Sequence, residues 1–268
     1  MRIYITLLCF VVLGLFSGQY ASAQAVQGND FWFMLPSNFD QGNSTCNSNY
    51  RLILVSQFCV ENEIVLTCDA LNFSKTYSIE SGEYFEVDLS QLEGVPANNI
   101  ITPTPNFADG DYSDVSFHLT SPQPVQAFLF VDRGLSAEGE TLLPTRLLGN
   151  DYVPAMRGFS INSIETHILA TEDNTSIDIN GFGAVGQQNI VLNKGEIFSF
   201  LTDEDCNNEV NFFNQCVTMD GTVINSDKKI AIFASNSLAQ MGNAGNGDMI
   251  LQTFLPINNW STEYFTAQ

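Results

Sequence analysis

Residues 140–155, ETLLPTRLLGNDYVPA, align without a gap on residues 252–267, QTFLPINNWSTEYFTA. The two stretches share a threonine, a leucine, a proline, a tyrosine and an alanine at the same positions. The segment before each stretch matches as well, because Val125–Phe128 occupies the place of Ile230–Phe233. Matches that recur in the same order indicate an internal repeat. The repeat is stronger evidence for the fold than any single motif in the chain.

Earlier parts of the chain extend the same alignment. Gly82–Phe85, GEYF, corresponds to Gly195–Phe198, GEIF, and both read as tight turns that enter strands. Gly28–Phe31, GNDF, resembles Gly149–Tyr152, GNDY. Each motif therefore marks an equivalent point in two successive units.

The repeat predicts how the chain is divided. We expect a first unit at 28–148 and a second at 149–260, each of about 110 to 120 residues, the size of a β-sandwich. Residues 261–268 are either the start of a third unit, which would make the chain a fragment of a longer protein, or a strand that closes the second unit.

Short apolar or alternating runs, bounded by Gly, Asn, Asp and Pro, recur throughout the chain and predict strands rather than helices. The run Val125–Val131, VQAFLFV, is almost continuously apolar. Such a run is typical of a central strand that is covered on both faces. The predicted fold class is all-β, with two tandem β-sandwich-like repeats.

The first residues have the pattern of a signal peptide. A basic start at Met1-Arg2 precedes an apolar run at Ile3–Phe16, and Ala21-Ser22-Ala23 has the small-x-small pattern of a cleavage site. We expect residues 1–23 to be removed by cleavage between Ala23 and Gln24. No later stretch has the roughly 18 to 20 apolar residues of a membrane helix. The predicted location is therefore outside the cell, secreted or on the cell surface, without membrane insertion of the mature chain.

The charge of the chain excludes some partners. It has 9 Lys and Arg against 30 Asp and Glu, for a formal net charge of −21. Proteins bind nucleic acid and anionic lipid through Lys and Arg, so this surface would repel both. The 44% hydrophobic content and 21 phenylalanines predict a folded protein rather than a disordered one.

Export makes disulfide bonds possible. The five cysteines outside the leader are Cys46, Cys59, Cys68, Cys206 and Cys216. We predict a Cys206–Cys216 bridge around a polar loop, and a Cys59–Cys68 bridge across a hairpin that turns near 61–63. The second pair could instead be simple buried thiols. Because the count is odd, at least one cysteine is unpaired or bound to another chain.

Three carboxylates surround a glycine in the segment Asp109-Gly110-Asp111-Tyr112-Ser113-Asp114. Oxygen ligands at this spacing can bind Ca²⁺, although the bidentate glutamate of an EF-hand is missing. Asp109, Asp111 and Asp114 are therefore a candidate calcium site, and a solvated acidic turn is the alternative. No other cofactor is expected.

Few residues could support catalysis. The chain has only two histidines, His118 and His167, and each lies in a strand-like run that suggests packing or a surface position. No Gly-x-Ser-x-Gly motif is present. We therefore predict that the protein is not an enzyme.

Several ordered motifs resemble one known family. They are Gly28–Trp32, Ala170–Thr175 with Ile177–Ile179, Lys194–Glu196, Gly221–Phe233 and Gln252–Pro256 with Trp260. Together they resemble the N-terminal domain family of the IgG Fc-binding proteins, which is common in large secreted proteins of Bacteroidetes-type bacteria. The resemblance implies an all-β, extracellular, non-enzymatic protein, but no Fc-contact residue can be matched to a position here.

These observations predict a secreted or cell-surface binding or adhesion module. Its expected partner is an extracellular glycoprotein, glycan or other protein. The alternatives are a passive structural spacer in a larger surface protein and an accessory domain of an exported hydrolase.

Overall fold

The structure is a computed structural model. It describes residues 26–36, 49–56, 61–95, 110–132, 136–156, 159–160, 164–181, 187–201, 219, 221–240 and 247–260. The predicted leader, residues 1–23, and the terminal segment 261–268 lie outside this part of the chain.

The described residues form sixteen strands and three short 3₁₀ turns. The strands are β1 (Gly28–Phe33), β2 (Asn49–Ser56), β3 (Asn62–Cys68), β4 (Phe73–Ile79), β5 (Tyr84–Asp88), β6 (Asp111–Ser113), β7 (Phe117–Asp132), β8 (Ala137–Thr141), β9 (Gly149–Tyr152), β10 (Phe159–Ser160), β11 (Glu165–Ala170), β12 (Thr175–Asn180), β13 (Gln187–Leu192), β14 (Ile197–Leu201), β15 (Val223–Gln240) and β16 (Gly247–Thr253). The 3₁₀ turns cover Asp69–Leu71, Thr145–Leu147 and Ile257–Asn259. None of the helical segments in the described part of the chain has the length and apolar character needed to cross a membrane.

The strands form two antiparallel sheets with the same topology. The first has the order β4-β3-β7-β2-β5, and β1 and β8 also pair with β7. The second has the order β13-β12-β15-β11-β14-β6, and β9, β10 and β16 also pair with β15. A long strand, β7 or β15, is the centre of each sheet, and its neighbours arise in the same chain order. The predicted fold class, all-β with two sandwich-like units, is confirmed.

The repeated Gly and Pro positions explain why the two units are built alike. A Cβ on Gly28 would lie 2.2 Å from Pro144 Cβ, and a Cβ on Gly149 would lie 2.6 Å from Pro256 Cβ. Each proline precedes a 3₁₀ turn. Only glycine has room for these contacts, so the same close approach fixes the first strand of each unit against its last turn.

One strand from the part of the chain assigned to the first unit pairs with the second sheet. Strand β6 precedes the centre of the first sheet in the chain, but it pairs with β14 of the second sheet through Ile197 and Ser113. The amide of Gly110 donates to Ser199 O at 2.9 Å and extends this pairing. A division of the chain at 148/149 therefore assigns a strand of the second sheet to the first unit, and the exact bounds of the units stay a prediction.

The hydrophobic core has two parts that share the second sheet. One buried cluster covers the inner face of the first sheet and includes Leu169, Ala231 and Phe233 of the second. The other cluster contains Ile168 and Ile232, their neighbours in sequence. Successive residues of a strand point to opposite faces, so β11 and β15 are buried on both faces. We call the first of these clusters, where the two units meet, the junction.

Val125–Val131 was expected to be a central strand that is covered on both faces, and only the central position is confirmed. This segment of β7 is central in the first sheet, but its residues alternate between buried and half-buried. Phe128 and Phe130 lie on the half-buried face. The strand that is covered on both faces is its equivalent in the second unit, β15, because the first unit packs against one face of the second sheet.

Candidate functional site

A cavity of about 500 Å³ lies where the two units meet. The first unit contributes Trp32 of β1, His118 and Ser116 near the start of β7, Thr67 of β3, and Asp69, Ala70 and Asp114. The second unit contributes Lys194 and Gly195 from the turn between β13 and β14. This volume falls within the range of small-molecule sites in proteins. We call this cavity the junction pocket.

Trp32 and His118 line the junction pocket as a stacked pair. The two rings stack with centroids 4.0 Å apart and an interplanar angle of 10°. They face each other because Trp32 and His118 are directly paired between β1 and β7. Lys194 Nζ lies 5.3 Å from the centroid of the Trp32 ring, a distance at which a cation is attracted to the π system.

A carboxylate holds the histidine in place. His118 Nε2 lies 2.9 Å from Asp30 Oδ2, and the Thr145 hydroxyl donates to the other oxygen of Asp30. Burial raises the pKa of Asp30, but hydrogen bonds from His118 and Thr145 and electrostatic attraction by His118 and Lys194 lower it more. The net pKa of Asp30 is below its usual value, so the carboxylate is ionised at neutral pH.

The turn that carries Lys194 depends on a glycine. Gly195 has a φ of +83°, in the left-handed region that glycine adopts most easily. Its carbonyl accepts a hydrogen bond of 2.7 Å from Ser116 Oγ, and its amide donates to Ala170 O at 2.9 Å. The repeated Gly-Glu motif therefore anchors the second unit to the first and places the Lys194 ammonium beside Trp32.

The mouth of the junction pocket carries exposed acidic groups. Asp69 and Asp114 line the cavity and are exposed to solvent. Together with the Lys194 ammonium and the hydroxyls of Thr67 and Ser116 they offer both acceptors and donors. Such a surface suits a polyhydroxyl group or a charged side chain, which can satisfy several of these groups at once.

The arrangement does not resemble a hydrolase relay. A serine nucleophile must hydrogen-bond to the histidine that activates it, whereas Ser116 Oγ donates to the Gly195 carbonyl. The second histidine has a Ser-His-acid arrangement, since His167 Nδ1 is 2.8 Å from Ser199 Oγ and its Nε2 is 3.5 Å from Glu165 Oε2. His167 and Ser199 are fully buried, however, so a substrate cannot reach them.

Two of the three residues of the predicted calcium site lie in the described part of the chain. Asp111 lies in strand β6, and Asp114 follows that strand and lines the junction pocket. Among the described residues, no cluster of three or more His, Cys, Asp or Glu side chains is placed to hold a metal. Asp109 lies outside the described residues, so the complete site stays a prediction.

The cysteine predictions concern mostly residues outside the described part of the chain, namely Cys46, Cys59, Cys206 and Cys216. Cys68 is the last residue of β3, which begins at Asn62 and pairs with β4 and β7. The Cys59–Cys68 bridge and the Cys206–Cys216 bridge both stay predictions.

The thiol of Cys68 lies next to the acidic residues of the junction pocket. Burial raises its pKa, and the negative charges of Asp114 and Asp69 raise it further. A thiol with a raised pKa stays protonated at neutral pH and is a poor nucleophile. Cys68 is therefore a packing residue rather than a reactive group.

The two tryptophans have different environments. Trp32 is 7% exposed, and its ring packs between the units, against His118 of the first and near Lys194 of the second. Trp260 is 49% exposed, and its Nε1 donates to Leu255 O at 3.1 Å. With His118 stacked on it and Lys194 nearby, Trp32 is not an open platform for a sugar ring.

Sequence reasoning missed most of the junction pocket. Asp30 belongs to the repeated Gly-Asn-Asp motif, whose second copy supplies Asp151, and Asp151 accepts a hydrogen bond of 2.7 Å from Asn225 Nδ2. This shared aspartate was the available signal that the first strand of each unit carries a fixed carboxylate. Nothing in the sequence indicated that His118 and Lys194 would join it.

Comparison with known proteins supports the resemblance found in the sequence. Residues 138–268 match the family described as IgGFc binding protein. The match covers β8 except its first residue and all of the predicted second unit, 149–260, including Lys194 and Gly195 of the junction pocket. No curated protein matches the chain. The matched family is one of binding proteins rather than of enzymes, and a Bacteroidetes-type origin stays a prediction.

Proposed function

We propose that the protein is a non-enzymatic binding or adhesion module that acts outside the cell, secreted or at the cell surface, and recognises a glycoprotein, glycan or protein partner. The observation that carries this proposal is the junction pocket, in which both units present polar and charged groups around one cavity. The match of residues 138–268 to a family of binding proteins supports the same conclusion.

The chemistry of the pocket narrows the partner group. Asp69 and Asp114 accept hydrogen bonds, and Lys194 donates them. Sugar hydroxyls do both, so one sugar unit can satisfy the carboxylates and the ammonium together. The total charge of −21 opposes an acidic partner and favours a neutral or basic one.

The rigidity of the site also fits a binding function. The Trp32–His118 stack, the Asp30–His118 pair and the Ser116–Gly195 hydrogen bond fix the walls without a ligand. A preformed site loses little conformational entropy when it binds. The exposed carboxylates at its mouth remain available to the partner.

The proposal is tested by direct binding to immobilised mucin, immunoglobulin Fc and a control glycoprotein, each before and after deglycosylation. We expect saturable binding at micromolar concentration, about −8 kcal/mol, that is lost on deglycosylation. Asp114→Asn should weaken it at least about tenfold, since the charged acceptor is lost. Asp248→Asn, an exposed residue outside the pocket, is the matched control. A folded protein that binds none of the three would contradict the proposal and favour a passive spacer.

A further inference from the structure

The second sheet ends at strand β13. This strand covers Gln187–Leu192, QQNIVL, and among the described strands only β12 pairs with it. The pairing is regular over the whole strand, from Thr175 opposite Leu192 to Asn180 opposite Gln187. The backbone groups on the outer side of such an edge strand point away from the sheet and can pair with a further strand.

β13 differs from the strands at the other ends of the described sheets, because it carries no charged residue. β4 contains Lys75, β5 contains Glu86 and Asp88, and β6 contains Asp111. Charged side chains, proline and irregular pairing keep the edge strands of natural proteins from pairing with other chains. β13 has none of the three, in a molecule whose net charge is −21. It is therefore the sheet end that another strand can approach most easily.

The exposed side chains of β13 are complementary to themselves. Gln187, Asn189 and Val191 are exposed, whereas Ile190 and Leu192 are buried in the second core cluster or at its edge. A side-chain amide both donates and accepts hydrogen bonds, so Gln187 and Asn189 can pair with the same residues of a second copy. Val191 is 61% exposed, and its aliphatic group is stabilised when another strand covers it. A second copy of β13 therefore matches this edge in charge and in hydrogen-bonding groups.

Antiparallel pairing of two β13 strands satisfies the edges of both copies. Directly opposite residues of an antiparallel pair lie on the same face of the sheet. A two-fold axis perpendicular to the sheet therefore places Gln187, Asn189 and Val191 of one copy opposite members of the same set in the other. We propose that β13 of one molecule pairs with β13 of a second copy and forms a two-fold dimer with one continuous sheet.

This arrangement closes at two copies. Both molecules use the same edge, so no β13 edge is left free after pairing and assembly stops at the dimer. One short strand from each copy forms a small contact, which places the interface among the weak ones. The net charge of −21 on each copy opposes association, and salt screens this repulsion. Dimer formation should therefore increase with protein concentration and with ionic strength.

Sedimentation velocity and hydrogen exchange together test the proposal on the purified protein. In about 0.5 M NaCl, which shortens the range of charge repulsion, we expect monomers at about 5 µM and a growing fraction of dimers up to about 200 µM. Over the same range, amide exchange should become slower in Gln187–Leu192. It should stay constant in Phe73–Ile79, the edge strand β4 of the first sheet.

Charge at the edge should prevent the pairing. Asn189→Lys combined with Val191→Lys places ammonium groups directly opposite each other whether Asn189 or Ile190 lies on the two-fold axis, and we expect at least about tenfold weaker dimerisation. The fold should tolerate the change, because residue 189 lies opposite Asp178 of β12 in the same chain. Ser74→Lys combined with Thr76→Lys is the control. It adds the same charge at exposed positions of β4 and should dimerise at least as strongly as the wild type.

Four results would overturn the proposal. The wild-type protein could remain a monomer at about 200 µM, or it could form species longer than a dimer. A dimer could leave exchange in Gln187–Leu192 unchanged, or persist with both lysines on β13, and its interface would then lie elsewhere. Slower exchange in β13 that requires an added glycoprotein, without a dimer, would assign this edge to a strand of that partner instead.

Discussion

Leu169→Ala tests whether the two units share one hydrophobic core. Leu169 is 0% exposed, lies in β11 of the second sheet and belongs to the junction with residues of the first unit. The substitution removes three carbon atoms, about 2.4 kcal/mol at 0.8 kcal/mol each. The cavity left behind adds to this loss, so we expect the free energy of unfolding to fall by about 3 kcal/mol.

The two tryptophans allow the effect to be read in the first unit. A Trp260→Phe background leaves Trp32, which is buried between the units, as the one fluorescent tryptophan. We expect Leu169→Ala to shift the urea midpoint of the Trp32 transition by about 1 M, for a slope of about 3 kcal/mol per M. Ile177→Ala, in the second core cluster alone, should shift the same transition if both units unfold together.

Two results would refute this reasoning. A Trp32 transition that is unchanged by Leu169→Ala would mean that the junction contributes nothing to the first unit. A transition that responds to Leu169→Ala but not to Ile177→Ala would keep the packed junction and reject cooperative unfolding of the two units.

Three further predictions concern single contacts. Tyr152→Phe should lower the free energy of unfolding, measured by heat or urea, by about 1 to 3 kcal/mol. Tyr152 OH donates to Ile230 O at 2.6 Å and accepts from Gly149 N at 3.0 Å in a buried site. An unchanged free energy of unfolding would mean that water satisfies both groups. Gly28→Ala should lower the free energy of unfolding by about 1 to 3 kcal/mol, because the new Cβ would lie 2.2 Å from Pro144 Cβ. Gly139→Ala is the control and should lower it less, because its Cβ would meet only the Phe130 ring, at 3.2 Å. Asp30→Asn should lower stability at pH 7 by up to about 1 kcal/mol, since the group is half-exposed. The folded pKa of Asp30 is lowered, so its contribution is present above the unfolded pKa of about 3.8 and is lost as pH falls below it; an equal effect of Asp30→Asn at pH 7 and pH 3 would contradict this.

The architecture could be predicted from the sequence because the same short motifs occur in both units. The Gly-Asn-Asp, Gly-Glu and Leu-Pro motifs recur at equivalent points of both sheets, at Gly28 and Gly149, at Gly82 and Gly195, and at Pro144 and Pro256. Gly82 and Gly195 have positive φ values, as tight turns before strands require. Motifs that serve local backbone geometry can be read from sequence without knowledge of the packing.

Packing between the units could not be read in the same way. The apolar pattern of Val125–Val131 suggested burial on both faces, but it does not say which unit covers which sheet. The junction pocket depends on contacts between distant residues, such as Asp30 with His118, 88 positions apart. The position of Lys194 over Trp32 follows only from the way the second unit docks on the first. Such contacts carry no local sequence signal.

The fluorescence of Trp32 during ligand binding tests the central claim most directly. In the Trp260→Phe background, a bound glycan that contacts Lys194 and His118 would change the surroundings of the Trp32 ring. We predict a saturable change in Trp32 emission during titration with glycopeptide released from mucin, with the same midpoint as direct binding. The change should be absent with the deglycosylated peptide and weakened by Asp114→Asn. Binding that saturates while Trp32 emission stays constant would place the ligand elsewhere and contradict the account.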